Sequence, residues 1–137
     1  MKGAVMSLGS KSSLMIIKAM ETYFDSVENI DLRDVEVNVG SGKMSVLYEG
    51  RQLPQYSCIY ARGSFRYSSL LRAVTKILYR NSYMPIKPET FTIGHDKLLT
   101  HLALQHFSTP MPATYLASST RAAKKVLNEV TYPIVLK

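Results

Sequence analysis

Ala4-Val5-Met6-Ser7-Leu8 followed by Gly9-Ser10-Lys11, and Tyr56-Ser57-Cys58-Ile59-Tyr60 followed by Ala61-Arg62-Gly63-Ser64, are two short apolar runs that each break at a glycine-bearing loop. After the first loop, Leu14, Ile17, Met20 and Phe24 recur at helical spacing. After the second, a helix is predicted near Ser68 to Arg80, with Leu70, Leu71, Val74, Ile77 and Leu78 turned inward. Strand, loop and helix therefore occur twice. Strands separated by helices pair in parallel through right-handed crossovers, and ligands of such sheets gather at the carboxyl ends of the strands. Gly9-Ser10-Lys11 and Arg62-Gly63-Ser64 both fall there. Two loops leaving neighbouring strand ends can converge on one anion, with glycine allowing close approach and arginine holding a carboxylate. The same spacing also fits two ordinary connections.

Outward from these units, Val35, Val37 and Val39 alternate with polar residues, and Met44, Val46 and Tyr48 alternate again after Ser41-Gly42, which predicts a hairpin with one wet face. A short extended piece is expected at Met84 to Ile86 and a helix from about His95 to His106, closed by Thr109-Pro110-Met111-Pro112. An extended Thr114 to Ala117, a helix opened by Ser118 or Ser119 and a final strand Ile134 to Lys137 complete the reading.

The 137 residues suit one domain, or one domain and part of a second; 46% are hydrophobic and 20% charged, enough apolar surface for a folded core. The apolar run at the N-terminus is too short for a secretory signal and no run approaches a membrane span, so a cytoplasmic location is expected. One cysteine, Cys58, excludes an internal disulfide and a zinc ribbon, and reads as a small buried hydrophobe. The net charge is +7, and the stretch between Glu49 and Glu89 holds no acid while Arg51, Arg62, Arg66, Arg72, Lys76, Arg80 and Lys87 all lie within it. Such a segment attracts phosphates, carboxylates or nucleic acid alike. Arg72, Lys76 and Arg80 recur every four residues, the pattern of a solvated helix face.

Several motifs fail on inspection. Gly40-Ser41-Gly42-Lys43 resembles the end of a P-loop, but Met44 stands where a magnesium-holding Ser or Thr belongs and a strand follows. No dinucleotide fingerprint surrounds Gly9. His95, His101 and His106 lack the spacing that puts two imidazoles on one helical face, and Ser64 has no hydrolase context.

The second half is more specific. His95-Asp96-Lys97-Leu98-Leu99-Thr100, then Leu104, then Thr109-Pro110-Met111-Pro112-Ala113-Thr114, then Tyr132-Pro133-Ile134-Val135-Leu136-Lys137 resembles the opening of the ATP-grasp superfamily. Tyr48-Glu49-Gly50-Arg51-Gln52-Leu53-Pro54 and Arg62-Gly63 make it most similar to the RimK-type carboxylate-amine ligases, although Pro85-Ile86-Lys87 carries lysine where that family has asparagine.

The resemblance implies an α/β fold. A Rossmann-like pre-ATP-grasp domain with a mostly parallel sheet occupies residues 1–93, and the incomplete helix-strand-helix-strand start of the ATP-binding domain occupies 94–137. Lys97 and Lys137 correspond to the family's ATP-contacting lysines, and Asp96 would cap or orient its helix. Arg62, together with Gly63, Ser10 and Lys11, would hold an acidic acceptor, a protein tail or a cofactor. The implied reaction adds an amino acid, glutamate first among the candidates, through an acyl phosphate made from ATP. Magnesium ligands are expected beyond Lys137, so the chain is read as the N-terminal portion of a ligase that is inactive alone. Readings of another class are a non-catalytic anion- or nucleic-acid-binding module and a dimerisation fragment, with a homodimer formed through the region from Asp96 to Lys137.

Overall fold

The computed structural model describes residues 1–40 and 42–136, and the chain divides into two compact units, Met1–Asp96 and the segment from Lys97 onward. In the first unit, β1 (Lys2–Ser7) leads through Gly9 into α1 (Lys11–Met20) and then β2 (Ser26–Asp31). The 3-10 turn Leu32–Asp34 joins β2 to β3 (Val35–Gly40), β4 (Lys43–Tyr48) and β5 (Arg51–Gln52). β6 (Cys58–Ala61), the 3-10 turn Phe65–Tyr67, α2 (Ser68–Leu78) and the single helical turn α3 (Thr90–Ile93) follow.

Among the described residues the strands form two sheets rather than the mostly parallel one expected. β1 lies between β2 and β6, parallel to both, while β3, β4 and β5 make an antiparallel meander. The sequence predicts neither β2 nor the two-residue β5. The β2 sequence Ser-Val-Glu-Asn-Ile-Asp offers little apolar alternation because it lies at the edge of the parallel sheet, where only Ile30 is buried.

β1 is buried from Gly3 to Ser7, as a central strand covered on both faces must be. Ala4 and Met6 join Ile30, Ile59, Ala61, Leu71 and Val74 in the main core, which also takes in Val46, Leu53 and Tyr56. Gly3 belongs to the other face: a Cβ there would lie 3.1 Å from both Met20 and Phe24, so the glycine lets the end of α1 settle onto the sheet. Buried polar groups are satisfied locally. The Tyr56 hydroxyl donates to Glu28 Oε2 at 2.5 Å, tying the approach to β6 to the edge strand β2, and Thr75 Oγ1 donates to the Leu71 carbonyl at 2.6 Å. Burial first, and then the Glu28 hydrogen bond, push the Tyr56 phenol well above its ordinary pKa.

Within the second unit, α4 (Lys97–Gln105) and α5 (Thr120–Leu127) are helical, and neither contains a buried residue. Ser119 caps α5, its Oγ accepting from the Ala122 N–H at 3.2 Å. The strands expected at Thr114 to Ala117 and at Ile134 to Lys137 are corrected: residues 114–117 and 134–136 carry no strand ladder, and Lys137 lies outside the described residues. A β-propensity segment becomes a strand only where a neighbour supplies ladder bonds, and Val135 and Leu136 are 82% and 78% exposed.

Candidate functional site at the carboxyl edge of the parallel sheet

Register decides which loops meet. Met6 stands opposite Ala61 and Ser7 opposite Asp31, so β1, β6 and β2 all end at one edge. The Arg62 N–H donates to the Met6 carbonyl at 2.9 Å, extending the ladder one residue past β6. Ser10 and Lys11 leave β1, and Arg62 and Gly63 leave β6, at this same edge.

Each residue there also has a local task. Gly9 adopts φ +72°, the left-handed region that glycine enters without Cβ strain, and its N–H donates to Ser7 Oγ at 3.1 Å. Ser10 caps α1: its Oγ accepts from the Ser13 N–H at 3.3 Å and shares a hydrogen bond with the buried Ser13 hydroxyl at 2.9 Å. Lys11 opens α1 and is exposed. A Cβ on Gly63 would lie 2.9 Å from Leu32 Cδ1 and 2.9 Å from Leu71 Cδ1, so this glycine is demanded by packing whatever else it does. Arg62 is half-buried, and no carboxylate among the described residues pairs with its guanidinium.

The one acid ending a strand here is already engaged. Asp31 accepts from Arg33 Nε at 2.8 Å and from the Arg33 N–H at 2.9 Å, and its second oxygen pairs with Arg33 Nη2. The Arg33 side chain, and next its backbone N–H, hold the Asp31 carboxyl at about 2. With Asp31 answered by Arg33, Arg62 and Lys11 have no ion-pair partner among the described residues. Sequence periodicity does not point to the Asp31–Arg33 pair because it does not point to β2, although Asp31 followed two residues later by Arg33 is a recognisable turn-capping pattern.

Lys97 opens α4 in the second unit and is exposed. His101 shares a 2.9 Å hydrogen bond through Nδ1 with the Thr114 hydroxyl, which also bonds the Pro112 carbonyl at 3.1 Å. The proline-rich segment is thereby tied to α4. Among the described residues no group of three or more His, Cys, Asp or Glu side chains is placed to hold a metal ion, and no helix is long and apolar enough to cross a membrane.

No protein-family model matches the chain, and no curated protein does. Among solved structures, the ATP-grasp ligase PsnB, determined in complex with a minimal precursor, Mg and ADP, superposes over 94% of this chain with a TM-score of 0.59 and 14% sequence identity. The chain spans about half, 51%, of the PsnB chain. At this identity the likeness is one of fold. The α/β architecture, with its separate parallel and antiparallel sheets, is compatible with that of an ATP-grasp ligase.

Proposed function

We propose that the chain is part of an ATP-dependent carboxylate-amine ligase of RimK type, with its first unit presenting an acidic acceptor and its second contributing to nucleotide binding. The observation that carries this reading is the fold likeness to an ATP-grasp ligase over 94% of the chain. The edge geometry supports it: Arg62 and Lys11 offer an arginine fork and an ammonium on loops that leave the same edge of the parallel sheet. That combination suits a carboxylate better than a neutral ligand.

In this reading the acceptor carboxylate is held by Arg62, Gly63, Ser10 and Lys11, and Lys97 contacts the nucleotide. Lys137, the second lysine of the family pattern, lies outside the described residues. The acceptor carboxylate attacks the γ-phosphate of ATP, releasing ADP and forming an acyl phosphate; an amino acid amine, glutamate in the first instance, then displaces phosphate to give the amide. PsnB was solved with Mg and ADP. The described residues here include no acidic cluster fit for magnesium, so no step is assigned to the metal on this chain.

Calorimetry tests the reading. The 137-residue chain is expected to bind ATP with a dissociation constant weaker than about 0.1 mM and to release no phosphate alone. Lys97→Ala is expected to abolish the heat of ATP binding. Arg62→Ala is expected to leave that heat intact while weakening a peptide ending in glutamate. ATP binding unchanged by Lys97→Ala would count against the nucleotide assignment, and peptide binding unchanged by Arg62→Ala against the acceptor site.

A further inference from the structure

The end of α2, the turn that follows it and the segment Lys87-Pro88-Glu89 enclose an open concavity of about 370 Å³, lined by Lys76, Tyr79, Arg80, Lys87, Pro88 and Glu89. It lies at the sheet edge opposite the Arg62 loop. The chain leaving α2 reaches the amino end of β6, where the Tyr83 N–H donates to the Ser57 carbonyl at 3.0 Å and the Ile59 N–H donates to the Tyr83 carbonyl at 3.0 Å.

Helix electrostatics explain part of this cluster, since Lys76 and Arg80 are favoured near the negative end of α2. They do not explain Lys87, which the chain brings in from beyond the helix, nor the absence of any acid from Arg51 to Pro88. Arg72, one turn before Lys76, is turned toward α3 by its Nη1 bond to Thr92 Oγ1 at 3.0 Å. Among the described residues the Arg80 and Lys87 side chains have no ion-pair partner, and both are exposed. The lining carboxylate, Glu89, faces Lys76 at 3.6 Å, with the two side chains 51% and 74% exposed. Such a long, solvated pair is readily exchanged for another carboxylate. Glu89 is also held below its ordinary pKa, first by its own backbone N–H and then by Lys76 and Arg72.

We propose that this concavity docks an acidic peptide segment in extended conformation, with carboxylates on alternate residues taken by Lys76, Arg80 and Lys87. Lys76 lies in the last turn of α2 and Arg80 in the turn that follows it; the helical rise over four residues is about 6 Å, close to the roughly 6.6 Å between alternate side chains of an extended strand. The cations are too few for a nucleic-acid track: Arg72, Lys76, Arg80 and Lys87 fall short of the ~6–10 phosphate contacts of a strongly salt-dependent nucleic-acid site. A single aromatic ring, Tyr79, lines the concavity, where single-strand binders stack successive bases on several. This docking does not depend on the ligase reading.

Fluorescence anisotropy with a labelled, C-terminally amidated Glu-Ser repeat peptide of about ten residues tests it on the full 137-residue chain. Saturable binding that weakens with salt is expected. Arg80→Glu combined with Lys87→Glu should reduce affinity at least about tenfold, while Lys18→Glu, an exposed charge on the helix covering the other face of the parallel sheet, stays within about twofold of the unaltered chain. If the double variant does not melt like the unaltered chain, Lys87→Glu alone, outside the helix, provides the readout. Absence of binding, equal binding by the charge-reversed variants, or loss on Lys18→Glu in their place would overturn the proposal. So would a single-stranded oligonucleotide of similar length that binds more tightly and displaces the peptide.

Discussion

Gly63 shows how one residue can carry both a packing and a binding argument. Its missing Cβ would press on Leu32 and Leu71, which are 1% and 0% exposed, so neither leucine has a free direction to move. Gly63→Ala is expected to destabilise the first unit by about 1–3 kcal/mol, the usual cost of overpacking a filled core. An unchanged urea midpoint would show that the leucines yield. Asp31 makes the complementary electrostatic case. Its carboxyl sits at about 2 against an ordinary 3.8, so its pairing with Arg33 favours the folded state fully above the ordinary value and is lost as pH falls through about 2. The Asp31 carboxyl carbon, followed by NMR, is expected to titrate near 2 in the unaltered chain and to return toward the ordinary value in Arg33→Gln. Titration near 4 in both would remove the pair from the account.

At the level of elements, the turn between β4 and β5 illustrates local chemistry working against a residue. Tyr48 pairs with Arg51, leaving the two-residue loop Glu49-Gly50, in which both residues have positive φ, 51° and 72°. That is the type I′ hairpin turn whose twist suits the flanking strands, and it favours Asn-Gly over Glu-Gly. Glu49→Asn is expected to stabilise the chain by about 0.5–1 kcal/mol and Gly50→Ala to destabilise it by about 1 kcal/mol, both read from thermal melting. The N-cap of α1 makes a second test. Ser10→Ala is expected to cost about 1 kcal/mol through lost capping, whereas Ser10→Asp should preserve stability while placing a negative charge beside Lys11. If Ser10 serves an acidic ligand as well as the helix, the aspartate variant keeps the fold and loses the ligand.

On the scale of the molecule, the two units differ in what holds them. The first has a continuous core from Ala4 to Phe91, while no described residue from Lys97 onward is buried and Phe107, Leu116 and Leu136 are each more than three-quarters exposed. Helices of nine and eight residues are too short to persist on propensity alone. Amides of α4 and α5 are therefore expected to exchange orders of magnitude faster than those of β1 in dilute solution, by hydrogen exchange with mass spectrometry. Protection equal to that of β1 at low concentration would show that the second unit is stable by itself. Protection that grows with protein concentration would instead identify a second copy of the chain as its cover.

Much of this was determined locally by the sequence. The continuous apolar run of β1, the valine alternation of β3 and the stripe of α2 each encode their element through a period that needs no distant partner. That the Arg62 and Ser10 loops leave the same edge of the sheet also followed from strand-helix alternation, because the crossover rule assigns both loops to one edge. Tertiary structure alone decided the rest. β2 is a strand because β1 supplies its ladder, not because Ser-Val-Glu-Asn-Ile-Asp prefers one, and residues 134–136 form none despite the β-branched Ile134 and Val135. Asp31 is answered by Arg33 before any ligand arrives, Gly63 is needed by two leucines, and Lys87 reaches the end of α2 through the fold of the intervening chain. Periodicity records which face of a segment avoids water. Only packing determines which neighbour that face meets, and which charges are left uncompensated when the core has closed.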